Sequence, residues 1–187
     1  MASDKPEKIE EAKRYIHLSG EVNEPLAKEF INNLLKMELD SPVADILVIC
    51  NSYGGQVHAM WSIIDAMNMC RCRIHTLALG KAMSAGAMIL MSGDKGYRYI
   101  APNANVMLHK IQAGNSGDFD SMDNQHRELT RLQKQFDAYI ASKTKIKLAE
   151  VETLLTRELY LSPEEAVKKG VVDKVIKSFS EMAIVKW

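Results

Sequence analysis

Three observations predict an α/β fold built on parallel strands. Two continuous apolar runs, Asp45-Ile-Leu-Val-Ile-Cys50 and Ile74 to Leu79, read as strands buried on both faces. Each is followed by a glycine-containing turn and then by a helix-forming stretch of apolar residues. The resulting order, strand–helix–strand–helix–strand, requires parallel strands joined by right-handed crossovers.

Each element follows from a local signal. Residues 1–13 are acidic and polar and read as a tail. Arg14 to Ser19 forms a strand ended by Gly20. Asn23 caps a helix with Pro25 in its first turn, and Leu26, Phe30, Ile31 and Leu34 supply its apolar face. Asp40-Ser-Pro42 breaks it. After the strand 45–50 and Gly54-Gly55, a second helix presents Val57, Met60, Trp61, Ile64 and Met67. Gly80 ends the strand 74–79, and a short helix covers Ala85 to Met91. Two short strands, Tyr97 to Ala101 and Asn105 to His109, flank Pro102-Asn-Ala104. Ala113 to Gly117 is a loop. A long helix runs from about Asp118 to Ser142, with Phe119, Met122, Leu129, Leu132, Phe136, Tyr139 and Ile140 on one face. Another covers Leu148 to Arg157. Ser162-Pro-Glu-Glu165 opens a last helix with a cap, a proline and a capping-box glutamate, and Gly170 stops it. Val171 to Ile176 returns as a strand.

Composition limits the function classes. The 187 residues carry 47% apolar and 26% charged side chains, average for a globular domain and enough for a core without staples. Lys+Arg and Asp+Glu both total 24, so no net field draws the chain to nucleic acid or an acidic membrane. The three cysteines, Cys50, Cys70 and Cys72, read as reduced thiols of a cytosol-like compartment, and Cys70-Arg-Cys72 lacks the second pair a zinc site needs. No apolar run approaches the ~20 residues of a membrane span.

Two residues stand out chemically. Ser84 lies among small residues, Gly80-Lys-Ala-Met-Ser84-Ala-Gly86, where a strand turns into a helix. Such a serine is either a helix cap or a nucleophile whose oxyanion the following helix favours. His109 ends an apolar strand and opens a glycine-containing loop, a position fit for a general base. His17 and His75 lie in strands and read as structural; His58 and His126 read as solvated.

The motifs Asn51-Ser-Tyr-Gly-Gly55, Gly80-Lys-Ala-Met-Ser84-Ala-Gly-Ala87, Pro102-Asn-Ala-Asn-Val-Met-Leu-His109 and Leu161-Ser-Pro-Glu-Glu-Ala166 with Lys169-Gly-Val-Val-Asp173 occur in one order across the chain. Together they resemble the proteolytic subunit of the Clp protease, ClpP, from about Arg14 to Ile176. The resemblance implies a ClpP/crotonase-like superhelix of repeated βαβ units over 14–187, with the helix at about 118–142 projecting as a handle. It implies a serine endopeptidase with Ser84 as nucleophile, His109 as general base, and the amides of Gly55 and Ala85 as oxyanion hole. It also implies heptameric rings stacked around a chamber, no metal or cofactor for hydrolysis, and ATP only through an AAA+ unfoldase partner. A cytoplasmic location follows (host cytoplasm or plastid stroma for a virus- or plastid-encoded relative).

The chain departs from that pattern at several places. Register from Leu161 puts Glu158 where the family has its triad aspartate; Asp94, Asp118 and Asp173 are the other candidate acids. Tyr53 replaces a proline before the glycine pair, and Lys110-Ile111 replaces Gln-Pro, which leaves one more backbone donor to place. Leu47 and Ile49 stand where the family's unfoldase-docking tyrosines lie, which weighs against that partner. Arg157 matches a family arginine of ring-to-ring contacts. The alternative expectation is a catalytically impaired structural subunit of a Clp-like assembly. An α/β-hydrolase is excluded by order, since its acid lies between serine and histidine.

Overall fold

The computed structural model of the chain describes residues 14–114 and 116–182; the tail expected over 1–13 lies outside the described residues. Three strand–helix units come first: β1 (Tyr15–Val22) and α1 (Glu24–Asp40), β2 (Ile46–Gly55) and α2 (Val57–Met69), β3 (Ile74–Met83) and α3 (Ala85–Met91). β4 (Arg98–Ile100) and β5 (Asn105–Leu108) follow, then α4 (Phe119–Lys143), α5 (Leu148–Leu154), β6 (Leu159–Leu161), α6 (Pro163–Lys168) and β7 (Lys174–Val175).

The parallel sheet has the order β1-β2-β3-β4-β7, in agreement with the predicted α/β class. Successive side chains of β2 point to opposite faces. Ile46, Val48 and Cys50 join the main core with Phe30, Leu34, Met60 and Ile64 from α1 and α2, while Leu47 and Ile49 join Leu77, Tyr99 and Ile176 on the other face. Full burial on both sides explains why the run 45–50 is uniformly apolar. It also pushes the Cys50 thiol up to about 12, so that sulfur is inert. All seven residues of α3 are buried, as an apolar helix surrounded by neighbours must be.

The local signals place the helices well. Asn23 caps α1, accepting the Leu26 amide at 3.0 Å. Ser162 and Glu165 close a capping box on α6. α4 is the projecting helix: Phe119 is 80% exposed at its start, whereas Phe136 and Ile140 are buried near its end. Tyr139 anchors that end, edge-on to Trp61 with centroids 5.1 Å apart and hydrogen-bonded to Ser92 at 2.8 Å.

Five readings are corrected. Gly80 does not end β3; with φ +78° it lets the strand swivel, so Thr76–Ala78 pair with β4 and Lys81–Met83 pair with β5. The strand β6, antiparallel to β5, escaped notice because three residues, Leu-Tyr-Leu, carry no readable period. The helix expected to reach Arg157 stops at Leu154. Of the strand expected over 171–176 only Lys174–Val175 pairs, because Val171 and Val172 are turned into the core. Among the histidines, His75 is buried against Asp45 at 2.8 Å, whereas His17, expected to be structural, is exposed on β1.

An ion pair between buried Arg98 and half-buried Asp173 ties the late elements to the sheet. The Arg98 guanidinium grips Asp173 through two bonds of 2.9 and 2.6 Å, and its Nη1 donates to the Lys143 carbonyl at 2.7 Å. One side chain thus links β4, the turn before β7 and the last residue of α4. Among the described residues no helix is long and apolar enough to cross a membrane.

Candidate active site

The turn between β3 and α3 holds Ser84 at φ +52°, ψ −123°, a conformation that side chains rarely adopt and that costs about 1–3 kcal/mol. Ser84 is the one non-glycine residue with positive φ among the described residues. Its amide donates to the Met107 carbonyl on β5 at 2.8 Å, and its carbonyl accepts from Ala87 and Met88 at 3.0 and 3.1 Å. The backbone is therefore held on both sides while the hydroxyl stands clear of helix duties: Ser84 makes no side-chain cap bond to α3. Ser84 thus caps α3 through its backbone carbonyl and not through its side chain.

The hydroxyl instead meets His109, just past the end of β5, with Nε2 and Oγ 2.8 Å apart. β5 reaches that spot because the swivel at Gly80 lets the end of β3 pair with it. Ser84, His109, Gly55 and Ala85 all line one cavity of about 290 Å³, whose apolar side is formed by Val57, Met60, Met107 and Phe136. A larger cavity of about 800 Å³ lies at the opposite end of β3, around Ile74, and contains neither Ser84 nor His109. In open parallel sheets the carboxyl ends of the strands carry the chemistry, which favours the smaller one.

The paired glycines fit the turn against Ser84. Gly54 has φ +105°, and a Cβ there would lie 2.7 Å from the Ser84 Cβ and 2.8 Å from the Met83 carbonyl oxygen. Its amide donates to the Ser52 hydroxyl at 3.0 Å. The bond across to β1 is made by Gln56, whose amide donates to the Val22 carbonyl at 2.7 Å. Gly54→Ala is expected to shift Ser84 off His109 and to lower peptide turnover at least tenfold. It should also destabilise the fold by about 1–3 kcal/mol. Steady-state kinetics and thermal melts on the variant test both.

The acid is not assembled with the other residues. His109 Nδ1 is buried with no hydrogen-bond partner among the described residues. Leu108 pairs with Leu159 across β5 and β6, and one further step of that register sets Glu158 opposite His109. Yet the Glu158 carboxylate accepts from the Tyr160 hydroxyl at 3.0 Å. Residues two apart on a strand share a face, so Tyr160 lies beside Glu158 and takes its carboxylate. This contact also raises the Tyr160 phenol above its ordinary value. The other candidate acids are engaged elsewhere. Asp94 accepts the Ile74 amide, Asp118 caps α4 through the Ser121 amide, and Asp173 holds Arg98.

Tyr160 and a pair on α4, Gln133 and Asp137, are polar neighbours of the site that the sequence did not signal. Gln133 accepts the Ile111 amide at 2.8 Å from 22 residues away, a separation at which no local pattern operates. No group of metal-ligating side chains is present among the described residues.

The structure brings Ser84 and His109 together in a cavity at the carboxyl edge of the parallel sheet. The family model for Clp protease matches residues 6–179. The chain belongs to the Clp protease family. Membership makes it one of a family of peptidases, hydrolases of peptide substrates. It also accounts for the α/β sheet and its projecting helix as the Clp protease fold.

Proposed function

We propose that this chain is a serine endopeptidase that cleaves unfolded polypeptides or short peptides inside the chamber of a ring-shaped homo-oligomer, with heptameric rings stacked in pairs. The observation that carries the reading is the 2.8 Å approach of His109 Nε2 to the Ser84 hydroxyl at the strained turn. Ser84 Oγ attacks the scissile carbonyl carbon as His109 takes its proton. The amides of Gly55 and Ala85 receive the developing oxyanion. His109 returns the proton to the leaving amine, and water then cleaves the acyl-serine by the same route in reverse. The apolar wall of Met60, Met107 and Phe136 favours an apolar side chain before the cut. Peptide hydrolysis needs no metal or cofactor in this scheme. An AAA+ unfoldase would supply ATP-driven delivery, although Leu47 and Ile49 lie largely buried where docking tyrosines were expected. The three free thiols suit a reducing, cytoplasmic compartment.

Glu158 is the acid in this reading, reached when its carboxylate leaves Tyr160 for His109 Nδ1. Glu158→Gln is expected to lower kcat at least tenfold with little change in melting temperature, and Tyr160→Phe to raise kcat several-fold by freeing the carboxylate. Unchanged kinetics in both variants would mean that serine and histidine work as a dyad. A second reading, a catalytically impaired subunit, draws on one observation, the unpartnered His109 Nδ1. A fluorophosphonate separates the two. One adduct per subunit by intact mass, absent in Ser84→Ala, supports the enzyme; an unlabelled wild-type chain supports the structural subunit.

A further inference from the structure

Beyond His109 the chain continues as Lys110-Ile111-Gln112 along the floor of the Ser84 cavity, outside every strand ladder. A segment without ladder partners needs another restraint if it is to present a regular edge. The structure supplies one from the projecting helix. The Ile111 amide donates to Gln133 Oε1 at 2.8 Å, and Gln133 Nε2 donates to Asp137 Oδ1 at 2.7 Å. Both ends of the Gln133 amide are therefore used, which fixes its orientation. Gln133 and Asp137 lie one turn apart on α4, and Asp137 is only 5% exposed. The next residues inward, Phe136 and Ile140, seat this stretch of α4 in the core. Gln133 thus stands where the helix leaves the body, beside the active-site cavity rather than on the free shaft.

We infer that Gln133, held by Asp137, is a positioning residue that fixes the 110–112 segment as a docking edge for an extended peptide substrate. This rests on the peptidase reading above. In an extended run, adjacent residues turn their backbone polar groups to opposite sides. With its Ile111 amide on Gln133, an extended 110–112 segment would turn the amides and carbonyls of Lys110 and Gln112 the other way, where a peptide strand could pair with them. A proline at 111 would have no N–H to satisfy. Isoleucine has one, and Gln133 removes it from competition with the substrate. The burial that pushes the Asp137 carboxyl up is opposed by the Gln133 bond, consistent with a close contact between them.

The test is a cycle of Gln133→Leu and Ile111→Pro, read with an extended peptide of eight residues and with a small fluorophosphonate. Gln133→Leu is expected to raise KM for the peptide about tenfold with kcat within twofold, and to leave the rate of Ser84 labelling unchanged. In the Ile111→Pro background, where no donor remains, the same change should move KM less than twofold. Asp137→Asn, which keeps an oxygen for the Gln133 amide, should hold KM near wild type. An equal KM change in both backgrounds, or none in either, overturns the inference. Hydrogen exchange at the Ile111 amide reads the restraint without activity. It should quicken at least tenfold in Gln133→Leu, and an unchanged rate overturns the inference. Failure of the peptidase reading shows differently, as a wild-type Ser84 that takes no label while the exchange result stands.

Discussion

Ser84→Ala is expected to lower kcat/KM for peptide cleavage by about 10⁴-fold or more, since loss of the nucleophile leaves only the oxyanion hole and binding. The fold should persist. Alanine keeps the Cβ that packs against Gly54, and the amide bond to Met107 does not involve the side chain. Ser84→Gly gives the sharper contrast. Glycine adopts φ +52° without penalty, so this variant should also lose activity yet melt higher, by up to about 1 kcal/mol of added stability. A protein that gains stability when its reactive residue is removed holds that residue in a strained turn for its chemistry. Rapid hydrolysis by Ser84→Ala, measured with active-site titration to exclude contamination, would end the proposed mechanism.

Asp173→Ala is expected to cost the fold up to about 3–5 kcal/mol, the typical penalty for leaving a buried charge, here Arg98, without its partner. Arg98, with its side chain 4% exposed, would keep its charge and lose two of its three acceptor contacts. The turn before β7 would loosen, as would the end of α4 through Lys143. Arg98→Met with Asp173→Leu should recover much of the loss, because no buried charge remains. Burial alone would raise the Asp173 carboxyl. The guanidinium, by hydrogen bond and by charge, and the amides of Arg98 and Gly96 outweigh it and hold the group below its ordinary value of 3.8. The contribution is therefore complete above that ordinary value and is lost as pH falls through the lower folded one. Urea titrations across the acid range should show this slope in the wild type and a shallower one in the variant.

The outcome at individual residues shows what a one-dimensional reading can reach. The strands at 45–50 and 74–79 were legible because burial on both faces demands an unbroken apolar run. The caps at Asn23 and Ser162 were legible because a helix start needs its acceptor within three residues. Ser84 and His109 were legible as a pair of candidates, each from its own turn, and the Clp protease motifs joined them. β6 was not legible, since three residues cannot display a period. Gly80 was misread because a glycine that stops one strand and a glycine that swivels it look alike until the partner strands are known.

The local sequence by itself determined the α/β class, the helix boundaries set by caps, and the residue types available at the two critical turns. Those follow from interactions within a few residues. Only the tertiary structure decided which groups meet: His109 on Ser84, Glu158 on Tyr160, Ile111 on Gln133 and Arg98 on Asp173. Except for Glu158 and Tyr160, these partners lie far apart in the chain. Even that pair depends on β6 forming beside β5. Hydrogen bonds and ion pairs act over about 3 Å, so their partners are set by how the sheet and helices bring distant segments together.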